Sequence, residues 1–419
     1  PSGTMYTSPV VKDGRLYSLS PKLHAFALNA ATGEELWRHD PELPGGAQRG
    51  LMWWEQGDDR RILYTAGRIL IALNADDGTP VTSFGDGGRV DLTPKDVARE
   101  GYLAVTVPGV VFEDKILLGF STTEGADSFP GSVRAFSAVD GSLVWQFDMI
   151  PKPGERGSET WAEGSLERAG GANVWTGMAL DVERGILFAP TGSTTPDFYG
   201  GNRHGDNLYG NSIVAINARN GEYVWHHQVV KHDLWDKDNP SPPTLVTYQK
   251  DGKTVDGVAL TTKTGHLFVF NRETGEPHYD LVEVKTPIPS TLPGEAPSPV
   301  QHVSTVEITR QTFEVTQRNP EATAFVEEQI VGADLRPWAP PRVGTVIFSP
   351  WYDGGAEWGG SAFDPTTGSI ILNANDAAAV LTLSEIPKGF TRSGAYARHC
   401  GACHGSDLKG TDVGPSLIG

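Results

Sequence analysis

Residues 214–225 read Val-Ala-Ile-Asn-Ala-Arg-Asn-Gly-Glu-Tyr-Val-Trp, and this stretch decides the fold. A short run in which small and aliphatic residues alternate ends at Asn217. Gly221 follows after three residues, and Trp225 stands four positions further on. The Gly can adopt a positive φ and the Asn can bond its own backbone, so the segment predicts two antiparallel strands joined by a tight turn.

The same unit recurs five more times along the chain. The copies are residues 25–29 with Gly33 and Trp37, 71–74 with Gly78, 133–136 with Gly141 and Trp145, 268–271 with Gly275, and 362–364 with Gly368. Successive glycines lie 45 to 93 residues apart, which suits one four-stranded sheet per unit with insertions of varying length. The array predicts an all-β fold, a β-propeller; a solenoid of β-hairpins is the structural alternative.

The tryptophans of the repeat and the long inserts have different expected roles. We expect Trp37, Trp145 and Trp225 to fill the space between neighbouring sheets, because a flat indole buries a large area while its N–H finds a carbonyl. Loops at one mouth of the propeller carry function more often than its sheets do. The inserts that could build a site there are residues 86–110, 150–175, 192–211 and 276–345.

The run Cys400-Gly401-Ala402-Cys403-His404 contains both cysteines of the chain and is typical of a c-type haem attachment site. Two thiols add to the haem vinyl groups, and the adjacent imidazole becomes an axial iron ligand. A structural zinc site would need four ligands, and a thioredoxin-like pair would lie beside a βαβ pattern. Electron transfer through haem c, bound by Cys400 and Cys403 with His404 on the iron, is therefore predicted.

Composition and length limit the possible partners. The chain has 419 residues and a formal net charge of -18, which argues against nucleic acid or an anionic membrane surface as a partner. No apolar stretch approaches the length of a membrane helix. Only 15 residues follow His404 and the start shows no export signal, so the sequence reads as a fragment. Because haem c is attached outside the bacterial cytoplasm, we expect a periplasmic protein.

Several motifs outside the repeat resemble one enzyme family. They are His232-Asp233-Leu234-Trp235-Asp236, Lys263-Thr264-Gly265-His266-Leu267-Phe268-Val269 and Pro196-Asp197-Phe198-Tyr199-Gly200-Gly201-Asn202-Arg203. Together with the repeat they resemble the pyrroloquinoline quinone (PQQ) dependent dehydrogenases, nearest to the glucose dehydrogenase branch. The resemblance implies an eight-bladed propeller with PQQ and a Ca²⁺ or other divalent ion near its axis. About six blades would lie in residues 1–385, and residues 386–419 would begin an α-helical cytochrome c domain.

The resemblance also implies roles for individual residues. Asp233 would be the catalytic base, Lys263 and Arg134 would hold the anionic cofactor, and Trp175 would stack on it. Trp358 and Asn375 would lie near the cofactor, and Glu124 is the acid that could hold the metal, which needs six to eight oxygens. From the residues alone, Asp233 could equally cap a backbone amide or lie on the surface, Lys263 could be solvated, and Arg134 could stabilise its own hairpin. Trp175 and Trp358 could be packing residues.

These observations predict a quinohaemoprotein dehydrogenase that oxidises a sugar or polyol and passes electrons from reduced PQQ to haem c, then to a cytochrome or quinone. Asp233, Lys263 and Arg134 should then meet around one cavity. A cofactor-free propeller that serves as an interaction scaffold, with the haem tail as an electron carrier, is the alternative from another class. A PQQ dehydrogenase of simple primary alcohols is the second alternative.

Overall fold

The computed structural model describes residues 4–95, 97, 99, 101–250, 252–287, 289–385, 396, 400–405, 408–410 and 415–418, with the backbone alone at 402 and 403. In chain order the first strands are β1 (Val10–Lys12), β2 (Arg15–Leu19), β3 (Ala25–Asn29), β4 (Glu35–His39), β5 (Met52–Gln56), β6 (Asp59–Ala66), β7 (Ile69–Asn74), β8 (Arg89–Asp91), β9 (Leu103–Ala104), β10 (Val110–Phe112), β11 (Lys115–Leu118), β12 (Ser121–Thr122), β13 (Ser132–Ser137) and β14 (Leu143–Asp148). They are followed by β15 (Gly170–Gly171), β16 (Ala179–Asp181), β17 (Ile186–Pro190), β18 (Thr194–Thr195), β19 (Ser212–Asn217), β20 (Tyr223–Gln228), β21 (Thr244–Lys250), β22 (Lys253–Thr261), β23 (Leu267–Asn271), β24 (Leu281–Lys285), β25 (Val300–Ser304), β26 (Gly344–Phe348), β27 (Ser361–Asp364), β28 (Ser369–Leu372) and β29 (Ala379–Leu383). The helices are α1 (Pro320–Gln329), α2 (Gly401–His404) and two 3₁₀ turns, Ser158–Thr160 and Leu166–Arg168.

The predicted mostly β fold is confirmed. The first four repeats lie in four-stranded antiparallel sheets, β1-β2-β3-β4, β5-β6-β7-β8, β10-β11-β13-β14 and β16-β17-β19-β20. The fifth repeat lies in the three-stranded sheet β21-β22-β23, and the sixth forms the hairpin β27-β28. In two small pairs, β9 with β12 and β15 with β18, the first strand precedes a four-stranded sheet in the chain and the second lies between two strands of that sheet. This succession of antiparallel sheets is the blade pattern of a β-propeller.

In the four-stranded sheets the repeat forms the turn between the last two strands. In β19 and β20 the side-chain oxygen of Asn217 accepts a hydrogen bond from the backbone N–H of Arg219 at 2.9 Å. The Gly221 N–H donates to the Asn217 carbonyl at 2.8 Å, with Gly221 at φ +77°. The side chain of the Asn and the positive φ of the Gly therefore close the turn as the sequence predicts.

Each repeat tryptophan joins its sheet to the next one. The Trp225 indole is 5% exposed and donates from Nε1 to the Arg272 carbonyl at 2.9 Å. A Cβ on Gly275 would come within 2.6 Å of the ring, so the next turn needs a glycine for this packing as well as for its φ of +73°. Corresponding contacts join Trp37 to Ala75 and Gly78, and Trp145 to Ala218 and Gly221. The predicted structural role of the three tryptophans is confirmed.

Trp225→Ala should lower the free energy of unfolding by about 3–5 kcal/mol, because it removes a buried ring and one hydrogen bond between two sheets. Trp358→Ala is a matched control, since the Trp358 side chain is 57% exposed and should contribute little to stability. Urea unfolding followed by circular dichroism measures both. Equal losses in the two variants would contradict the proposed inter-sheet role.

Apolar layers lie between successive sheets. One layer contains Trp145, Val133, Leu187 and Val214, from the third and fourth sheets, and further layers lie on either side of it. In the part of the chain described here, no helix is long and apolar enough to cross a membrane. Most of residues 386–419 lie outside the described residues, so the predicted boundary at 385 and the cytochrome c domain stay predictions.

Candidate functional site

A cavity of about 510 Å³ lies where loops from all of the larger sheets meet. Its walls come both from connections between sheets and from turns within them. The lining residues are Ala47, Arg49, Thr106, Ser121, Thr122, Thr123, Glu124, Asn173, Trp175, Ser193, Thr195, Asp197, Asp236, Asp238, Lys263, Asp353, Glu357 and Trp358. A cavity of this size with converging polar groups is typical of a site for a small molecule or cofactor.

Acidic side chains dominate this lining. The carboxylates are Glu124, Asp197, Asp236, Asp238, Asp353 and Glu357, whereas the cationic groups among the described lining residues are Arg49 and Lys263. An excess of carboxylates in a concave site attracts cations. An anionic ligand would therefore need a metal ion, the two cationic side chains, or both, to bind here.

Lys263 lies between two of the aspartates. It sits in the turn between β22 and β23 and is 5% exposed. Its Nζ lies 3.4 Å from both carboxylate oxygens of Asp236 and forms an ion pair with Asp238. Burial opposes the charged form of Lys263, but Asp238 and Asp236 outweigh it and raise the pKa above its ordinary value. The ammonium therefore stays charged in the cavity wall.

Trp175 and Asp236 complete this wall. The indole Nε1 of Trp175 donates to the Asp238 carboxylate at 2.6 Å. That bond fixes the indole at the cavity and leaves Asp238 shared between Trp175 and Lys263. Burial, reinforced by the charge of Asp238, raises the pKa of Asp236 well above the usual carboxyl range. A carboxyl group whose pKa is raised in this way is suited to accept a proton near neutral pH.

Asp233, the predicted base, lies behind the cavity wall rather than in its lining. Its carboxylate accepts hydrogen bonds from the Ser193 hydroxyl, from Asn211 Nδ2 at 2.8 Å, and from the backbone N–H groups of Trp235 at 2.9 Å and Lys237 at 2.7 Å. Four donors occupy its oxygens. Asp233 thus holds the turn from which Asp236 and Asp238 extend. This role is close to one alternative that the sequence offered, a carboxylate that caps backbone amides.

Asp197 and Glu124 lie on another part of the lining. The Oδ1 atom of Asp197 is buried and has no hydrogen-bond partner among the described residues. Burial, followed by the charges of Asp233 and Asp238, raises the pKa of Asp197 well above its usual range. A buried carboxyl oxygen without a donor fits a metal ligand, and Asn173 contributes an amide to the same cavity. No group of three or more His, Cys, Asp or Glu side chains with metal-site geometry occurs in the described ranges.

Three predicted cofactor residues lie in different places. Arg134 is buried beside another cavity, with its guanidinium 3.7 Å from the Phe120 ring centre and a hydrogen bond to the Leu92 carbonyl at 2.6 Å. Trp358 lines the main cavity, and the guanidinium of Arg49 lies 5.4 Å from its ring centre. Asn375 is not in the lining; its backbone pairs with Gly355 in the segment that carries Glu357.

The predicted meeting of Asp233, Lys263 and Arg134 around one cavity is therefore not observed. Of these three, Lys263 alone is in the lining, and it is joined there by Asp236, Asp238 and Arg49. Asp236 and Asp238 follow Asp233 closely in the sequence, so the acidic run itself was a usable signal. Nothing in the sequence around Arg49 distinguishes it from the other arginines of the chain.

The predicted haem site is described only in part. Cys400 precedes the single helical turn α2, and its carbonyl accepts the His404 N–H at 3.0 Å. His404 Nδ1 lies 2.8 Å from the Pro415 carbonyl. The side chain of Cys403 lies outside the described residues. The helical turn α2 spans the motif from Gly401 to His404, directly after Cys400.

Comparisons with known proteins agree on one family. Residues 2–407 match the family described as "PQQ: Glucose/ethanol/alcohol dehydrogenase, beta-propeller domain". Quinoprotein glucose dehydrogenase A of Acinetobacter calcoaceticus is 29% identical, over 88% of this chain and 51% of that protein. The large subunit of glycerol dehydrogenase of Gluconobacter thailandicus is 27% identical, over 88% of this chain and 53% of that protein.

A solved structure supports the fold. The quinohemoprotein alcohol dehydrogenase from Comamonas testosteroni superimposes with a TM-score of 0.68 at 23% identity, over 91% of this chain and 53% of that one. The chain spans about half the length of the relatives that it matches. The propeller that the repeats predict is thus confirmed at the level of the fold.

Proposed function

The chain belongs to the family of PQQ-dependent glucose, ethanol and alcohol dehydrogenases, and from that premise we propose that the whole protein oxidises a sugar or polyol alcohol group with PQQ bound in the 510 Å³ cavity. The observation that carries the proposal is the pairing of Lys263 with Asp236 and Asp238 beside the Trp175 indole. A cofactor-free scaffold has no need of this buried group of charges. Relatives named for glucose and glycerol favour sugars and polyols as substrates.

The described residues fit an anionic, planar cofactor together with a cation. Lys263 and Arg49 would hold the cofactor carboxylates, and the Trp175 indole offers a flat apolar surface. The unpartnered oxygen of Asp197, with Glu124 and the Asn173 amide nearby in the lining, would hold Ca²⁺ or another divalent ion. Arg134 and Asn375 lie outside the lining, so we assign neither of them to the cofactor.

When bound, PQQ supplies a two-electron oxidant for the carbinol hydrogen. The protein must supply a base for the hydroxyl proton, and we assign this role to Asp236 instead of Asp233. The Asp236 carboxylate faces the cavity and has a raised pKa, whereas the oxygens of Asp233 are occupied by four donors. Lys263 would keep Asp236 oriented and favour its deprotonated form.

An activity screen of the full-length protein, reconstituted with PQQ and Ca²⁺, tests the proposal directly. Aldoses, polyols and short primary alcohols are offered with an artificial dye as electron acceptor. We expect turnover with a sugar or polyol, and none without PQQ. Faster turnover of short primary alcohols would support the alternative primary-alcohol dehydrogenase. Absence of both PQQ binding and turnover would support the scaffold alternative.

We further propose that haem c bound to Cys400 and Cys403, with His404 on the iron, receives electrons one at a time and passes them to a cytochrome or quinone. This attachment implies a periplasmic location. Replacing both cysteines, Cys400→Ser together with Cys403→Ser, should remove the haem that survives denaturing electrophoresis, because no thioether bond then joins it to the chain. Peroxidase staining of gels measures the effect.

Reduction of the dye by the substrate should continue in this double variant, because the PQQ cavity lies in the propeller. Full haem staining in the double variant would contradict the assignment of Cys400 and Cys403.

A further inference from the structure

A lysine lies buried directly behind the cavity wall. Lys237 stands between Asp236 and Asp238 but is absent from the cavity lining, and it is 5% exposed. Its Nζ donates to the backbone carbonyls of Lys263 at 3.2 Å and Trp351 at 2.8 Å, and also to that of Pro350. The three N–H donors of the ammonium thus match three carbonyl acceptors.

These carbonyls belong to two segments that build the cavity. One is the turn that carries the Lys263 side chain; the other begins at Pro350 and carries Asp353, Glu357 and Trp358. Lys237 itself extends from a third segment, which carries Asp236 and Asp238. A single ammonium therefore joins three parts of the chain that meet at the cavity.

A second contact holds two of the segments together on the other side. The Ala356 N–H donates to the Thr262 carbonyl at 3.0 Å. Gly355 has φ +67°, and a Cβ there would lie 2.4 Å from the Thr262 oxygen, so only a glycine allows this approach. The segment from Pro350 to Trp358 is thus fastened to the Lys263 turn at two points, of which Lys237 is one.

We infer that Lys237 is a positioning residue, whose ammonium fixes Lys263 and the Asp353–Trp358 segment relative to Asp236 and thereby sets the affinity of the cavity for its anionic cofactor. This inference rests on the proposed function. The charge of Lys237 also offsets part of the negative charge of the lining from behind the wall. An apolar side chain of similar length would leave the buried carbonyls of Lys263 and Pro350 without a donor, and the Trp351 carbonyl with the Gly354 N–H alone.

Protonation of Lys237 gives a readout that a purely structural role would not change. Burial and, after it, the charge of Lys263 lower the pKa of Lys237 to about 7. The nearby carboxylates favour the charged lysine and oppose this shift; they are Asp233, Asp236 and Glu357. His266 is the other titratable group facing it. Below that pKa Lys237 carries its positive charge and three N–H donors. Above it the side chain is a neutral amine with two N–H donors. Cofactor affinity should therefore fall as the pH rises through about 7.

Glu357 complicates this comparison, because burial raises its pKa to about 7 despite the opposing charge of Lys263, with a smaller contribution from the charge of Asp238. Its ionisation would weaken binding of an anion over the same range. The measurement therefore uses Glu357→Gln as the parent protein, in full-length form. Binding of PQQ to the apo-protein, with Ca²⁺ present, is followed by quenching of tryptophan fluorescence at about pH 6 and about pH 8.

Adding Lys237→Met to this parent should weaken PQQ binding about tenfold at the lower pH and much less at the higher pH, where the lysine is already neutral. Arg61→Met in the same parent is the matched control. Arg61 is 3% exposed and donates to the Ala138 and Val139 carbonyls at 2.8 and 2.7 Å, away from the cavity. We expect Arg61→Met to lower the melting temperature and leave PQQ affinity unchanged.

Unchanged affinity in the Lys237→Met variant at the lower pH would overturn the inference, as would an equal loss in the Arg61→Met variant. If Lys237→Met does not fold, the pH dependence of the parent decides, and a flat affinity between the two pH values overturns the inference. A wild-type protein that binds no PQQ at all would overturn the proposed function and this inference with it. A parent that binds PQQ tightly, combined with one of the contrary results, overturns the inference alone.

Discussion

Asp236→Asn should lower the turnover rate by about 10²- to 10⁴-fold, the usual contribution of a positioned general base, while PQQ still binds. An amide has nearly the shape of the carboxylate but cannot accept the hydroxyl proton. Lys263 keeps its ion pair with Asp238, so the cavity wall should remain in place. Steady-state kinetics with the best sugar or polyol, together with a PQQ titration, separate these two effects.

The pH dependence supplies an independent check on Asp236. A base works only when deprotonated, and burial raises the pKa of Asp236 above the ordinary carboxyl range. Activity should therefore rise with pH and reach its midpoint above that range, and the variant should lack this limb.

Asp233→Asn is the matched comparison for this prediction. Its four donors would face an amide that accepts fewer bonds, so we expect a lower melting temperature. Normal turnover in Asp236→Asn, with loss of turnover but unchanged stability in Asp233→Asn, would return the role of base to Asp233.

Lys263→Met should weaken PQQ binding by about 30-fold to a few thousand-fold, which corresponds to the ~2–5 kcal/mol cost of truncating one partner of a buried charge pair. Two effects add up here: the ammonium no longer attracts the cofactor, and Asp236 and Asp238 are left without their shared cation. Fluorescence titration of the full-length apo-protein with PQQ measures the change.

Lys231→Met serves as the control for Lys263→Met. Lys231 lies 3.4 Å from Asp206 in a partly exposed ion pair and is not in the cavity lining, so its loss should leave PQQ affinity unchanged. Equal affinity in the Lys263→Met variant and the wild type would remove Lys263 from the cofactor site.

The sheets were predictable because their signals are local. The turn at Asn217 and Gly221 is closed by bonds within five residues, and Trp225 needs only the glycine of the next repeat to find its place. Such patterns can be read one segment at a time. The structure of the long insert after the fifth repeat was harder to predict. Its helix α1 lies outside the repeat and has no buried residues, so no apolar pattern marks it in the sequence.

The site was only partly predictable, for two physical reasons. In β13 five of six residues are buried, so alternation along the strand could not show that Arg134 faces away from the main cavity. In the run after His232, positive φ values at His232 and Asp236 redirect the chain, and this decides that Asp236 faces the cavity while Asp233 faces inward. Neither feature can be read from residue order. Lys263 and Trp175 were placed through the family resemblance, and both line the cavity.

No single segment of the chain forms the cavity by itself, because its lining residues are drawn from positions 47 to 358. Arg49 and Trp358 come into contact across it although about 300 residues separate them, and the remaining walls come from almost every segment in between. Pairings of such long range form late, since loop-closure entropy opposes them until the surrounding structure is assembled. A ligand of this cavity consequently binds only where these distant segments have already come together, and by mass action its binding free energy stabilises the folded arrangement of all the segments that it contacts.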